Sequence, residues 1–157
     1  MIKLLLLEDD HVLAESLIEL LQSENFDIVH VVNSQGALNQ TFLQNFDLFL
    51  LDVNVPLFNG FELLKNLRDS GDKTPAIFLT ALNDIASLSK GFDVGADDYI
   101  KKPFDFDELL IRINAILKKQ YHTYSNELIL NDFHFFIEKN ELYKSNIFIP
   151  LTPYELK

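Results

Sequence analysis

The sequence predicts an α/β protein: a doubly wound, five-stranded parallel sheet followed by a partial antiparallel β segment. Three observations carry this. Residues 4–7, 48–51 and 76–79 are short runs of apolar residues without alternation, as expected of strands buried on both faces. Stretches with helical periodicity separate them, which is the pattern of β–α units joined by right-handed crossovers. Polar residues then gather where the runs stop: Glu8, Asp9 and Asp10, then Asp52, then Thr80, then Lys101, Lys102 and Pro103. In a parallel sheet the carboxyl ends of the strands share one edge, and ligands bind there. Carboxylates, a hydroxyl and an ammonium are therefore predicted to converge from distant parts of the chain.

The elements follow in order. After the first strand, Asp10 can cap a helix whose Leu13, Leu17, Leu20 and Leu21 lie on one face. Residues 28–32 make a second strand, and Ser34 is placed to cap a second helix ending near Asn45. The third strand runs into Asp52. Residues 60–68 form a short third helix, closed by the turn Ser70-Gly71-Asp72. Thr74 and Pro75 open the fourth strand, and residues 83–94 form a fourth helix. Tyr99 and Ile100 mark the fifth strand. A fifth helix covers 106–119, with Phe106, Leu109, Ile113, Ile116 and Leu117 inward.

Beyond Gln120 the character changes. Residues 121–126 read as a polar, aromatic linker, and 127–157 as short strands at 128–130, 133–138, 141–144 and 147–149. Thr152-Pro153-Tyr154-Glu155 is then a capping box with proline at the first helical position. A helix start with no helix behind it predicts an incomplete domain.

Composition bounds the function. With 48% hydrophobic residues in 157, the chain holds one full domain and part of another. Zero cysteines exclude disulfides and thiolate metal sites. No apolar run approaches the roughly 20 residues of a membrane span, and the apolar N-terminus has acids at once behind it and no cleavage site. A cytoplasmic protein without membrane contact is expected. The net charge of −11 opposes direct binding of nucleic acid. His11, His30, His122 and His134 have no metal-ligand spacing and read as surface or core-edge residues.

Glu8-Asp9, Asp52 with Asn54, Pro56 and Gly60, Thr80-Ala81, and the run from Gly95 through Asp97, Asp98, Tyr99, Lys102 and Pro103 to Phe104 resemble the receiver domain of two-component response regulators. The resemblance covers residues 1–120, and its elements stand in the expected order and spacing. It implies the flavodoxin-like (CheY-like) strand order 2-1-3-4-5, which periodicity alone does not give. It also implies that Asp52 is the phosphoacceptor and that Mg²⁺ is held by Asp9, Asp52 and the carbonyl of Asn54, with Glu8 acting through water. Lys102 and Thr80 would contact the phosphoryl group, and Thr80 with Tyr99 would form the switch. The metal is chemically apt: crowded carboxylates repel one another and an incoming phosphate, and a hard cation takes oxygen ligands.

On the same basis Phe92, Asp98, Glu108, Ile111 and Arg112 match positions of a dimer interface, with Asp98 and Arg112 an intersubunit ion pair. Two residues depart from that pattern: Ser89 stands where an apolar residue is usual, and Glu108 faces Leu88 where a basic partner is expected. Ile85, Leu88 and Phe92 are equally consistent with the buried face of the fourth helix. Residues 127–157 resemble the opening of the winged-helix DNA-binding domain of OmpR/PhoB-type regulators, with Leu151, Thr152 and Glu155 matching its helix start. The resemblance thus implies a response regulator that a cognate sensor histidine kinase phosphorylates on Asp52. It would dimerise when phosphorylated and reach promoter DNA through a C-terminal part largely missing here. An aspartyl phosphatase of the haloacid-dehalogenase kind fits poorly, because its second aspartate is Asn54 here. A phosphorylation-independent interaction module is disfavoured by the intact Asp52, Thr80 and Lys102.

Overall fold

A computed structural model describes residues 1–81, 89–90 and 92–131, the last eleven of these as backbone only. The elements are β1 (Ile2–Leu7), α1 (His11–Ser23), β2 (Phe26–Val31), α2 (Ser34–Leu43), β3 (Leu48–Asp52), α3 (Gly60–Asp69), β4 (Ala76–Thr80), β5 (Asp98–Lys101) and α4 (Phe106–Asn131). All five strands are parallel, in the order β2-β1-β3-β4-β5, as the resemblance implied. Two compact units divide the chain, Met1–Leu117 and Lys118–Lys157. In the second, the described residues belong to α4.

Pleating explains the unbroken apolar runs. Leu4, Leu6, Leu48, Leu50, Ile77 and Leu79 face one side of the sheet, where α1 supplies Ala14, Leu17 and Leu21 and α4 supplies Leu109, Ile113 and Leu117. Leu5, Leu7, Phe49, Leu51, Ala76 and Phe78 face the other side, against Ala37 of α2 and Phe61, Leu63, Leu64 and Leu67 of α3. The three central strands need apolar residues at every position because both faces are covered. Each fully buried leucine contributes about 1.5–3 kcal/mol. The edge strands β2 and β5 are only partly buried.

Caps fix the helix starts. Asp10 accepts from the N–H groups of Val12 and Leu13, as the sequence predicts. Leu20, however, is exposed, because the buried stripe of α1 runs through Ala14, Leu17 and Leu21. Asn33, not Ser34, caps α2: its side chain accepts from the Gly36 N–H. Ser34 is the first helical residue and is buried. Its hydroxyl donates to the Pro56 carbonyl and accepts from the Phe58 N–H, so it holds the loop after β3 instead. Asn59 and Glu62 form a reciprocal capping box at the start of α3.

The fourth helix expected at 83–94 is helical at 89–90 and 92–93 and has turned by Val94; residues 83–88 and 91 lie outside those described. The last helix departs most from expectation. It continues to Asn131, through the segment read as a linker at 121–126 and a strand at 128–130. No glycine or proline stands between Phe106 and Asn131, so nothing there removes a backbone N–H or loosens the chain. A three-residue apolar run cannot by itself choose strand over helix. The strands expected at 133–149 and the capping box at 152–155 lie outside the described residues. Among the described residues no helix is long and apolar enough to cross a membrane.

Candidate functional site

Glu8 and Asp9 follow β1, Asp52 ends β3, Thr80 ends β4 and Lys102 follows β5. The parallel order brings them to one edge. Lys102 Nζ donates to Glu8 Oε1 at 2.7 Å and to Asp52 Oδ2 at 3.1 Å. The other Asp52 oxygen accepts from the Asn54 N–H at 3.3 Å. Glu8, Asp52 and Thr80 are buried, whereas Asp9 is exposed. Carboxylate oxygens of Glu8, Asp9 and Asp52 lie within 4.8 Å of one another.

That crowding has an electrostatic consequence. Burial first, and the Glu8 charge second, push the Asp52 carboxyl up from 3.8 to about 6. Lys102 pulls it back only in part because its ammonium is shared with Glu8. For Lys102 burial acts downward, but the hydrogen bond to Glu8 and the charges of Asp52 and Glu8 outweigh it, and the net shift is upward. Three carboxylates thus face one ammonium. Their hard oxygen donors and surplus negative charge could hold a metal ion.

The supporting backbone is tightly built. Gly60 sits so close to the end of β3 that an added Cβ would come within 2.4 Å of the Asp52 carbonyl oxygen. Its N–H donates to the Val53 carbonyl at 2.8 Å. Between them Leu57 is exposed with φ of 82°, a conformation that L-residues rarely adopt. The Lys102–Pro103 peptide bond is cis, and the Lys102 N–H donates to the Thr80 carbonyl at 2.8 Å. Tyr99, on β5, is half-buried against the α2/α3 side of the core. Two further residues border this edge without any sequence motif: Ser34, described above, and His30, whose Nε2 donates to the Glu8 carbonyl at 2.8 Å. Both partners are backbone groups, which leave no trace in a sequence.

The residues matched to a dimer interface lie elsewhere: Phe92 in the helical residues 92–93, Asp98 on β5, and Glu108, Ile111 and Arg112 on α4. Ile111 is 69% exposed and Phe92 48%, so Phe92 is not part of a buried helix face. Ile85 and Leu88 lie outside the described residues. Arg112 Nη1 reaches both oxygens of Asp98 at 3.0 Å within the same chain, and its Nε donates to Glu108 at 3.3 Å. A cavity of about 500 Å³ opens beside them, lined among others by Asp105, Ile111 and Ile116.

Residues 4–114 match the family described as the response regulator receiver domain. The transcriptional regulatory protein CrdR of Helicobacter pylori is 46% identical over 112 residues, covering 71% of this chain and 53% of that protein. CiaR of Streptococcus pneumoniae, also named a transcriptional regulatory protein, is 41% identical over 119 residues, covering 76% and 53%. The chain spans about half the length of the curated relatives it matches. Among solved structures, the receiver domain of the Francisella response regulator 1452 superposes with a TM-score of 0.74 at 32% identity, covering 76% of this chain and 99% of that one. DrrB of Thermotoga maritima, an OmpR/PhoB homologue, gives 0.70 at 32% identity, with 76% and 54% covered.

Proposed function

Since the chain belongs to the response regulator receiver family, we propose that it is the phosphoacceptor part of a two-component transcriptional regulator. Asp52 is the residue that a cognate sensor histidine kinase phosphorylates. The observation that carries this reading is the meeting of the buried Asp52 and Glu8 with Lys102 at the carboxyl edge of the sheet.

An Asp52 carboxylate oxygen bonds to phosphorus while the bond from phosphorus to the kinase's histidine nitrogen breaks, and the freed imidazole takes up a proton. Asp9, Asp52 and the Asn54 carbonyl are the groups to hold Mg²⁺, with Glu8 assisting through water. The ion supplies positive charge that offsets the carboxylates and the phosphoryl oxygens. Lys102 already bridges Glu8 and Asp52, so its ammonium is placed to pair with the phosphoryl group once Asp52 is modified. Thr80 donates its hydroxyl to the same group, and Tyr99 turns inward behind it. Such a two-position pair couples a local charge to a distant surface.

The surface so coupled is the face bearing Phe92, Asp98, Glu108, Ile111 and Arg112, and it forms a homodimer. Promoter DNA is reached through a winged-helix part beginning within 127–157, in keeping with relatives that are named transcriptional regulators and of which the matched stretch is only 53%. The protein acts in the cytoplasm and is not an enzyme in its own right. Incubation with a small acyl phosphate and Mg²⁺ should add one phosphoryl group to the wild-type chain. Equal incorporation into Asp52→Asn, or undiminished incorporation with excess chelator, would overturn the assignment.

A further inference from the structure

We infer that His30 is a positioning residue for the acidic pair. By holding the Glu8 carbonyl it fixes the peptide plane from which Asp9 leaves, and so sets the affinity of the site for a divalent cation. The inference rests on the proposed reading of Asp9 and Asp52 as metal-holding residues.

Glu8 stands one residue past β1 and is 1% exposed. Its N–H donates to the Val31 carbonyl at 3.1 Å. Its Oε1 accepts from Lys102 Nζ at 2.7 Å and its Oε2 from the Asp10 N–H at 3.1 Å. That leaves the carbonyl, a buried acceptor beyond the last rung of the β1–β2 ladder, which ends at Leu7 and Val31. His30 Nε2 meets it at 2.8 Å. A carbonyl only accepts, so Nε2 carries a proton here. A second proton on Nδ1 leaves that bond intact, so the contact holds in either charge state of the ring.

The Glu8 carbonyl and the Asp9 N–H belong to one rigid plane. Fixing the oxygen fixes the direction in which the Asp9 Cα departs. Asp9 is exposed, and among the described residues no hydrogen bond or ion pair holds its side chain. Its carboxylate is therefore aimed through the backbone, which His30 grips on the Glu8 side of Asp9 while the Glu8 carboxylate holds the Asp10 N–H on the other. Loss of a group acting at one remove from a metal ligand typically costs about 10–100-fold in metal affinity or activity.

The test uses the full chain. Mg²⁺ is titrated into wild type, His30→Leu and His30→Gln, followed by the backbone amide NMR signals of Asp9 and Asp52. Loss of an orienting partner should weaken Mg²⁺ binding about tenfold in His30→Leu, whereas His30→Gln, which keeps an N–H donor, should stay within about threefold of wild type. Phosphorylation by a small acyl phosphate should need correspondingly more Mg²⁺ in His30→Leu, with the saturated rate restored. A leucine variant that binds as tightly as wild type overturns the inference, and so does a folded glutamine variant as weak as leucine. Should the leucine variant fail to fold, the wild-type ring decides. Its Nε2–H signal should move with the Asp9 amide during the titration, and a stationary signal overturns the inference. A wild-type chain that binds no Mg²⁺ overturns the metal reading itself, which is a separate result.

Discussion

At the scale of single residues, Asp52 is held in a state that favours its proton. Its carboxyl rises from 3.8 to about 6 on folding, for reasons of burial and the Glu8 charge. Between those values the folded chain keeps a proton that the unfolded chain has released, so this group lowers stability as pH rises from about 4 to about 6. The penalty is complete above that window and absent below it. In chelator, Asp52→Asn should match wild type near pH 4 and exceed it at pH 7 by on the order of 1–3 kcal/mol, read from denaturant unfolding. A constant difference across the window would show that the crowding is relieved some other way. The acidic pair, Asp52, Thr80 and Lys102 were legible because each ends or follows an apolar run. His30 and Ser34 were not, since each acts on a backbone group from a neighbouring element. The choice of Asn33 over Ser34 as cap was likewise hidden: both types cap well, and only the point where β2 releases the chain decides between them.

At the scale of elements, two glycines explain why their segments read so clearly. Gly60 lets the first turn of α3 approach the backbone of Asp52 and Val53 closer than any side chain allows. Gly60→Ala should therefore cost about 1–3 kcal/mol and displace the loop carrying Asn54, seen as a lower thermal midpoint together with weaker phosphorylation. An unchanged midpoint would mean that α3 can shift without loss. Gly95 has φ of 103°, and a Cβ there would come within 2.9 Å of Arg68 Nε. Arg68 needs that space: its guanidinium donates to the carbonyls of Asp72, Thr74 and Gly95, tying the end of α3 to the entries of β4 and β5. The central strands were legible because burial on both faces demands continuous apolar runs. The far half of α4 was not, because a short apolar triplet beside polar aromatics fits a helix and a strand equally.

At the scale of the whole molecule, association should pass through helices. Arg112 is already engaged with Asp98 and Glu108 in one chain, so an ion pair across two chains replaces an existing one and adds little. Apolar contacts should carry the affinity instead. Sedimentation with a beryllofluoride mimic should show Ile111→Asp losing dimer more than Arg112→Glu, and full dimerisation of both would place the interface elsewhere. The open sheet is bounded by two strands of unlike design. β5 is four residues long, starts at Asp98, whose carboxylate Arg112 holds, and runs into Lys101, Lys102 and Pro103. β2 carries Asp27 on its exposed side. A further strand added at either border would have to strip water from fixed charges on a chain of net charge −11. Lateral strand addition, the step by which fibrils grow, is therefore disfavoured at both of these borders.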